Sequence, residues 1–172
     1  MAIGAGYNGP VIFGGVDGAS PISFSTIDSA AIRGKATVGE RLDYAGEEYV
    51  FVHNAGATDA SVGMALVLSN LSGLSLTISS LSGYDTPICV VKHATIVAGG
   101  FGYGLVRGFT QVRTESTMAT GAWITLGDDG IFKTFIGSSN TDVVQGEQVG
   151  KIVSSGTGSN ASMPKAYVKC FG

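Results

Sequence analysis

Leu74, Leu76 and Ile78 alternate with Ser75, Thr77 and Ser79, the two-residue period of a strand with one buried and one wet face. A helix would mix those faces. Glu48 to Asn54 (Glu-Tyr-Val-Phe-Val-His-Asn) is β-branched and aromatic and runs into Ala-Gly-Ala-Thr-Asp, so it reads as a strand followed by a turn. Met64 to Leu68 is a further short apolar strand. Ile88 to Val97, interrupted in its middle by the two polar residues Lys92 and His93, reads as one long strand crossing the core. Ala98-Gly99-Gly100 then turns the chain into Phe101 to Phe109, whose glycines indicate close backbone approach or a bulge.

The pattern continues to the C-terminus. Trp123 to Leu126 and Ile131 to Phe135 flank Gly127-Asp128-Asp129-Gly130, a hairpin with turn-forming residues at its tip. Two last strands are expected near Val149 to Val153 and Ala166 to Phe171, separated by a Ser/Gly/Asn loop. Short strands with frequent glycine turns define an all-β fold, a compact barrel or sandwich.

Residues 1–45 differ. They are rich in Gly, Ser and Ala, with isolated Tyr7, Ile12, Phe13, Ile22, Phe24 and Ile27 and no sustained period. This segment reads as an extended N-terminal arm, with one or two helical turns between Thr26 and Arg33, and residues 46–172 as the β-domain. The arm's apolar residues need a surface to lie on, which makes Tyr7, Ile12, Phe13 and Phe24 candidate subunit or capsid contacts.

Composition narrows the function. The 172 residues carry only 13% charged side chains against 44% hydrophobic ones and 27 glycines, sparse charge for a freely diffusing monomer. Part of the surface is therefore expected to be covered by neighbours. A net charge of -3, with Lys and Arg scattered singly along the chain, argues against nucleic-acid binding. No apolar run approaches the roughly 20 residues that span a bilayer, and the N-terminus lacks a secretion-signal pattern, so no membrane association and assembly in a host cytoplasm are expected. Cys89 and Cys170 sit far apart in apolar strand-like runs and read as buried small hydrophobes, with a disulfide left open.

Candidate chemistry is thin. Gly4-Ala5-Gly6-Tyr7-Asn8-Gly9 has dinucleotide-fingerprint spacing, but no strand precedes it and Pro10 follows, so it reads as flexible arm. His53 and His93 are the two histidines, and no nucleophile-elbow sequence accompanies them. Glu47-Glu48 and Asp128-Asp129 read as solvated turn or strand-end carboxylates rather than an acid and base pair. No catalytic residue, metal site or cofactor is expected. Among the aromatics, Phe109 and Trp123 read as core, whereas Phe101 and Tyr103, in the Gly-flanked step, are candidates for a subunit or capsid contact.

Thr86-Pro87-Ile88-Cys89-Val90-Val91 followed by Ala98-Gly99-Gly100-Phe101-Gly102-Tyr103-Gly104-Leu105-Val106-Arg107-Gly108 resembles the small β-barrel capsid decoration, or cement, proteins of tailed bacteriophages. Gly121-Ala122-Trp123-Ile124-Thr125-Leu126, Gly130-Ile131-Phe132 and Val149-Gly150-Lys151-Ile152 are similar to the later strands of that family. The likeness runs from about Val62 to the C-terminus and rests on glycine spacing. It implies a non-enzymatic virion protein on the capsid surface, commonly a homotrimer at local threefold positions, whose partners are its own copies and the major capsid protein. The alternatives are a carbohydrate-binding or adhesin module of a tail fibre or spike, using Tyr103 or a neighbouring ring as a platform, and a trimeric β-fold nucleotide hydrolase, for which the expected acidic and phosphate-loop residues are missing.

Overall fold

A computed structural model describes residues 38–68, 75–77, 87–135, 148–158 and 162–170. These form ten strands: β1 (Arg41–Tyr44), β2 (Glu47–Asn54), β3 (Ala65–Leu68), β4 (Ser75–Thr77), β5 (Pro87–Val91), β6 (Phe101–Gln111), β7 (Trp123–Leu126), β8 (Phe132–Thr134), β9 (Gly150–Ser154) and β10 (Lys165–Lys169). A 3-10 turn, Asp128–Gly130, joins β7 to β8. The all-β reading holds. The expected helical turn between Thr26 and Arg33, and the contact candidates Tyr7, Ile12, Phe13 and Phe24, lie outside the described residues. Residues 41–44, at the end of the segment read as an arm, pair with β2 as a hairpin.

The strands run in one sheet in the order β1-β2-β4-β3-β5-β6-β10-β9-β7-β8, with β2 also pairing β6. Every strand pairing is antiparallel except β2 with β4. The extra pairing returns the first half on itself, so that β2, β4, β3, β5 and β6 form a circuit of hydrogen-bonded neighbours.

The circuit has its own core. Val50 and Val52 of β2, Leu66 of β3, Leu76 of β4, Cys89 and Val91 of β5 and Val106 of β6 cluster with Ala60 and Ile96. So small a ring leaves little room inside. A Cβ at Gly104 would overlap the Sγ of Cys89 and come within 2.7 Å of its Cβ. Glycine is what lets β6 approach β5 here. The opposite faces of β2 and β6, with Tyr49, Phe51, Tyr103 and Leu105, meet a second cluster built by Ile124, Leu126, Phe132, Ile152, Ala166 and Val168 of β7 to β10. Strand β2 is therefore buried on both faces, which is why its sequence is a continuous apolar run rather than an alternating one.

The run Ile88 to Val97 is two pieces, not one strand. β5 stops at Val91, Lys92 and His93 turn the chain, and Ile96 pairs separately with Ala60 through a bridge. The two polar residues mark a break because Lys92 is drawn to a carboxylate on β2, described below.

A register shift decides what β6 presents. Glu48 pairs with Arg107 but Tyr49 pairs with Leu105, so Val106 is an extra residue on β6. An extra residue inverts the alternation beyond it. Before the bulge, Tyr103 and Leu105 face the second core; after it, Arg107, Phe109 and Gln111 face solvent while Gly108, Thr110 and Val112 point inward.

A candidate interaction face on strands β6, β10, β9 and β7

Three aromatic side chains stand in one row across this sheet. Phe109 on β6 pairs with Tyr167 on β10, Tyr167 with Lys151 on β9, and Lys151 with Trp123 on β7. Directly opposed residues in antiparallel strands point to the same side, and these are exposed by 57% (Phe109), 38% (Tyr167) and 46% (Trp123). At strand spacing the row spans about 14 Å. The Phe109 and Tyr167 rings meet edge to face with centroids 5.1 Å apart. The Lys151 ammonium lies 5.2 Å from the centroid of the Trp123 ring, within reach of a cation–π attraction. Val153, two residues along β9, adds a further exposed apolar side chain.

Cations flank the row. Arg107 and Lys169 are register partners on one side, Lys165 lies on the other, and Lys133 sits across from Thr125 on β8. Strands β6 to β10 thus hold five of the ten Lys and Arg of the chain, and no Asp or Glu occurs within them. Among the described residues, Arg107 has an ion-pair partner, Glu48 at 3.9 Å, whereas Lys133, Lys151, Lys165 and Lys169 have none within 4.0 Å.

A cavity of about 380 Å³ opens beside the row, lined by Lys92, His93, Phe109, Gln111, Val153 and Lys165 among others. Two of its lining residues, Lys92 and Phe109, also belong to a knot of polar groups around Glu47. The Glu47 carboxylate accepts hydrogen bonds from Lys92 Nζ, from the Tyr49 hydroxyl and, at 3.2 Å, from the Phe109 backbone N–H. Burial alone would raise its pKa, but the hydrogen bonds from Lys92 and Tyr49, the Lys92 charge and the Phe109 amide outweigh it and hold the carboxyl below its ordinary range. The Tyr49 hydroxyl is pushed well upward by burial and then by its bond to Glu47. It also lies 3.1 Å from His93 Nε2. His93 is held below the usual histidine pKa by burial and by the Lys92 charge, with Glu47 acting in the opposite sense. With its oxygens taken by three donors, Glu47 ties β2 to β6 and to the end of β5.

Several sequence expectations change here. Phe109 and Trp123, read as core, are exposed: Phe109 because the Val106 bulge turns it outward, Trp123 because it alternates with buried Ile124 and Leu126. Tyr103, read as presented at a surface, is 8% exposed and tilts against Phe51 at 5.0 Å between centroids. Its hydroxyl pKa is pushed up to about 12 by burial and by the charge of Glu40. Phe101 is partly buried, stacked on His53 at 4.5 Å. Glu47 is a half-buried network member rather than a solvated carboxylate, whereas Asp128 and Asp129 are exposed in their turn as expected. Cys89 and Cys170 are buried, unbonded thiols.

The sequence does contain a signal for this face. Lys165-x-Tyr167-x-Lys169 and Arg107-x-Phe109-x-Gln111 each place polar and aromatic side chains on one parity of a strand. Reading charge along the chain misses the cluster, because its members meet across strands.

No protein-family model matches the chain, and no curated protein sequence matches it. Among solved structures it is similar to the N base of the head fibre gp8.5 of bacteriophage phi29, at a TM-score of 0.49 and 15% identity, over 70% of this chain and 94% of that one.

Proposed function

We propose that this is a structural virion protein of a tailed bacteriophage, one that binds the outside of the capsid and stabilises the shell through contacts with its own copies and with the major capsid protein, without bond-making chemistry. The observation that carries the reading is the exposed aromatic row Phe109, Tyr167 and Trp123 on one face of the sheet, with exposed Val153 beside it. Exposed rings set among cations on one sheet face mark an interaction surface, and Tyr and Trp are the residue types that anchor protein contacts. The low charge content of the chain and its glycine-spaced resemblance to capsid decoration proteins support the same reading. A homotrimer is the expected assembly. Many modest contacts per particle would raise avidity by about 10²–10⁴ without a single strong anchor.

The test is to measure the mass of the purified full chain and then mix it with undecorated heads of the phage whose genome encodes it. Saturable coating that raises the temperature at which heads release DNA is the expected result. Heads that take up no protein, under conditions where the chain is folded, would end the proposal.

A further inference from the structure

From the charge of the aromatic face and of a second surface elsewhere on the chain, we infer that the β6-β10-β9-β7 face seats the β1–β2 hairpin of another copy of this protein. The inference rests on the self-association proposed above and names the two surfaces that meet.

The face cannot pair with itself comfortably. Its charged side chains are all cationic, so a twofold, face-to-face contact would set lysines of one copy against lysines of the next, a like-charge juxtaposition that disfavours the interface. The complementary surface has to be acidic, and the chain displays one. Within residues 38–48, Glu47 and Glu48 are engaged by Lys92, Arg41 and Arg107, so Glu40 and Asp43 are the acids turned outward. Glu40 and Asp43 are exposed, and Tyr44 beside the turn is 41% exposed. The turn itself is tight, with Ala45 and Gly46 at φ of 52° and 80°, so the hairpin ends in a narrow edge bearing an aromatic ring and acids. A ring between carboxylates matches a row of rings between ammonium groups.

The same two chemistries already touch within one molecule. Glu48 reaches Arg107 at 3.9 Å, and Glu47 accepts from the Phe109 amide at 3.2 Å. That contact covers only the β6 border. Lys151 and Trp123 lie two and three strands further along the sheet, roughly 10–14 Å away at ordinary strand spacing, beyond the molecule's own hairpin and open to a neighbour's. Because hairpin and face are different patches, the contact is head-to-tail. Repeated around an axis, such a contact closes into a ring.

Charge reversal distinguishes this arrangement from others. K151E/K165E/K169E reverses the face, and E40K/D43K reverses the exposed acids of the hairpin. In the full-length chain, followed by sedimentation and mass photometry at low and high salt, each set alone should weaken self-association on the order of 100-fold. Both sets together in one chain should restore it, because the swapped surfaces are again complementary. W123A, which alters no charge and removes an exposed ring, should weaken association while leaving the thermal melt of the monomer unchanged. Circular dichroism confirms that each variant is folded.

An oligomer unaffected by either set overturns the inference and leaves the proposed function standing. Weakening by each set without restoration by the combination also overturns it, because both patches then belong to the self-contact without facing each other. A wild-type chain that stays monomeric at every concentration removes the self-association itself, a failure of the proposed function that is visible before any variant is made.

Discussion

Replacing Glu47 by alanine should cost more than any substitution on the exposed face. The side chain is 18% exposed and its partner Lys92 20% exposed, so neither charge is fully hydrated. Truncation removes three hydrogen bonds to a carboxylate, from Lys92, Tyr49 and the Phe109 amide. Bonds to charged groups contribute roughly 1.5–3 kcal/mol each in net terms, and removing one partner of a buried pair costs about 3–5 kcal/mol. Lys92 can still swing toward water, so a loss of about 3 kcal/mol is expected, near the lower end of that range. For a chain of this size that corresponds to a melting-temperature decrease on the order of 6–12 °C. The sign of the pH dependence follows from the lowered carboxyl pKa. Glu47 contributes fully above its unfolded value of 4.5, and the contribution disappears as pH falls through the lower folded value. Urea titrations of wild type and of Glu47→Gln should therefore differ most at neutral pH, with the gap narrowing progressively as pH is taken below 4.5. A gap that stays the same from neutral to strongly acid pH, or a Glu47→Ala loss below about 0.5 kcal/mol, would refute the account of this network.

Other consequences can be checked by simple means. Gly104→Ala forces a methyl against Cys89 and should destabilise by roughly 1–3 kcal/mol in a denaturant melt, as overpacking does; Cys89→Gly in the same chain should recover part of that loss. The Cys89 and Cys170 thiols are buried, with pKa values pushed up by burial and Cys170 reaching about 12, so a disulfide-exchange reagent at pH 8 should label neither until the protein unfolds. The folded His93 has a lowered pKa, so the unfolded chain takes up the proton first and stability falls as pH drops through 6.5; His93→Gln should flatten that part of the stability profile. Phe109→Ala and Trp123→Ala should each change the unfolding free energy by under about 0.5 kcal/mol, since both rings are surface residues, and a loss above 2 kcal/mol would mean that they belong to the core.

The positions of most strands were legible in the sequence because β-branched runs and glycine breaks are local signals. Leu76, in a Ser-Leu-Thr alternation, is buried as its period requires, and the Asp128–Gly130 turn sits where Asp and Gly announce it. What the sequence hid was relational. The outward turn of Phe109 depends on one additional residue at Val106, measurable only against β2. The Glu47 and Lys92 contact joins residues 45 positions apart. The cationic face exists because β10 lies between β6 and β9, an order that no charge count along the chain reveals.

Strand β6 runs through 11 residues and lends side chains to both cores, Val106 to one and Tyr103 and Leu105 to the other. Melting either half would strip that strand of its support in the remaining half. Thermal unfolding should consequently appear as a single calorimetric peak, and cutting the chain between β6 and β7 should give two fragments, neither of which folds without the other. Mechanical tension delivered to one lobe would likewise be shared by both, through one continuous length of backbone.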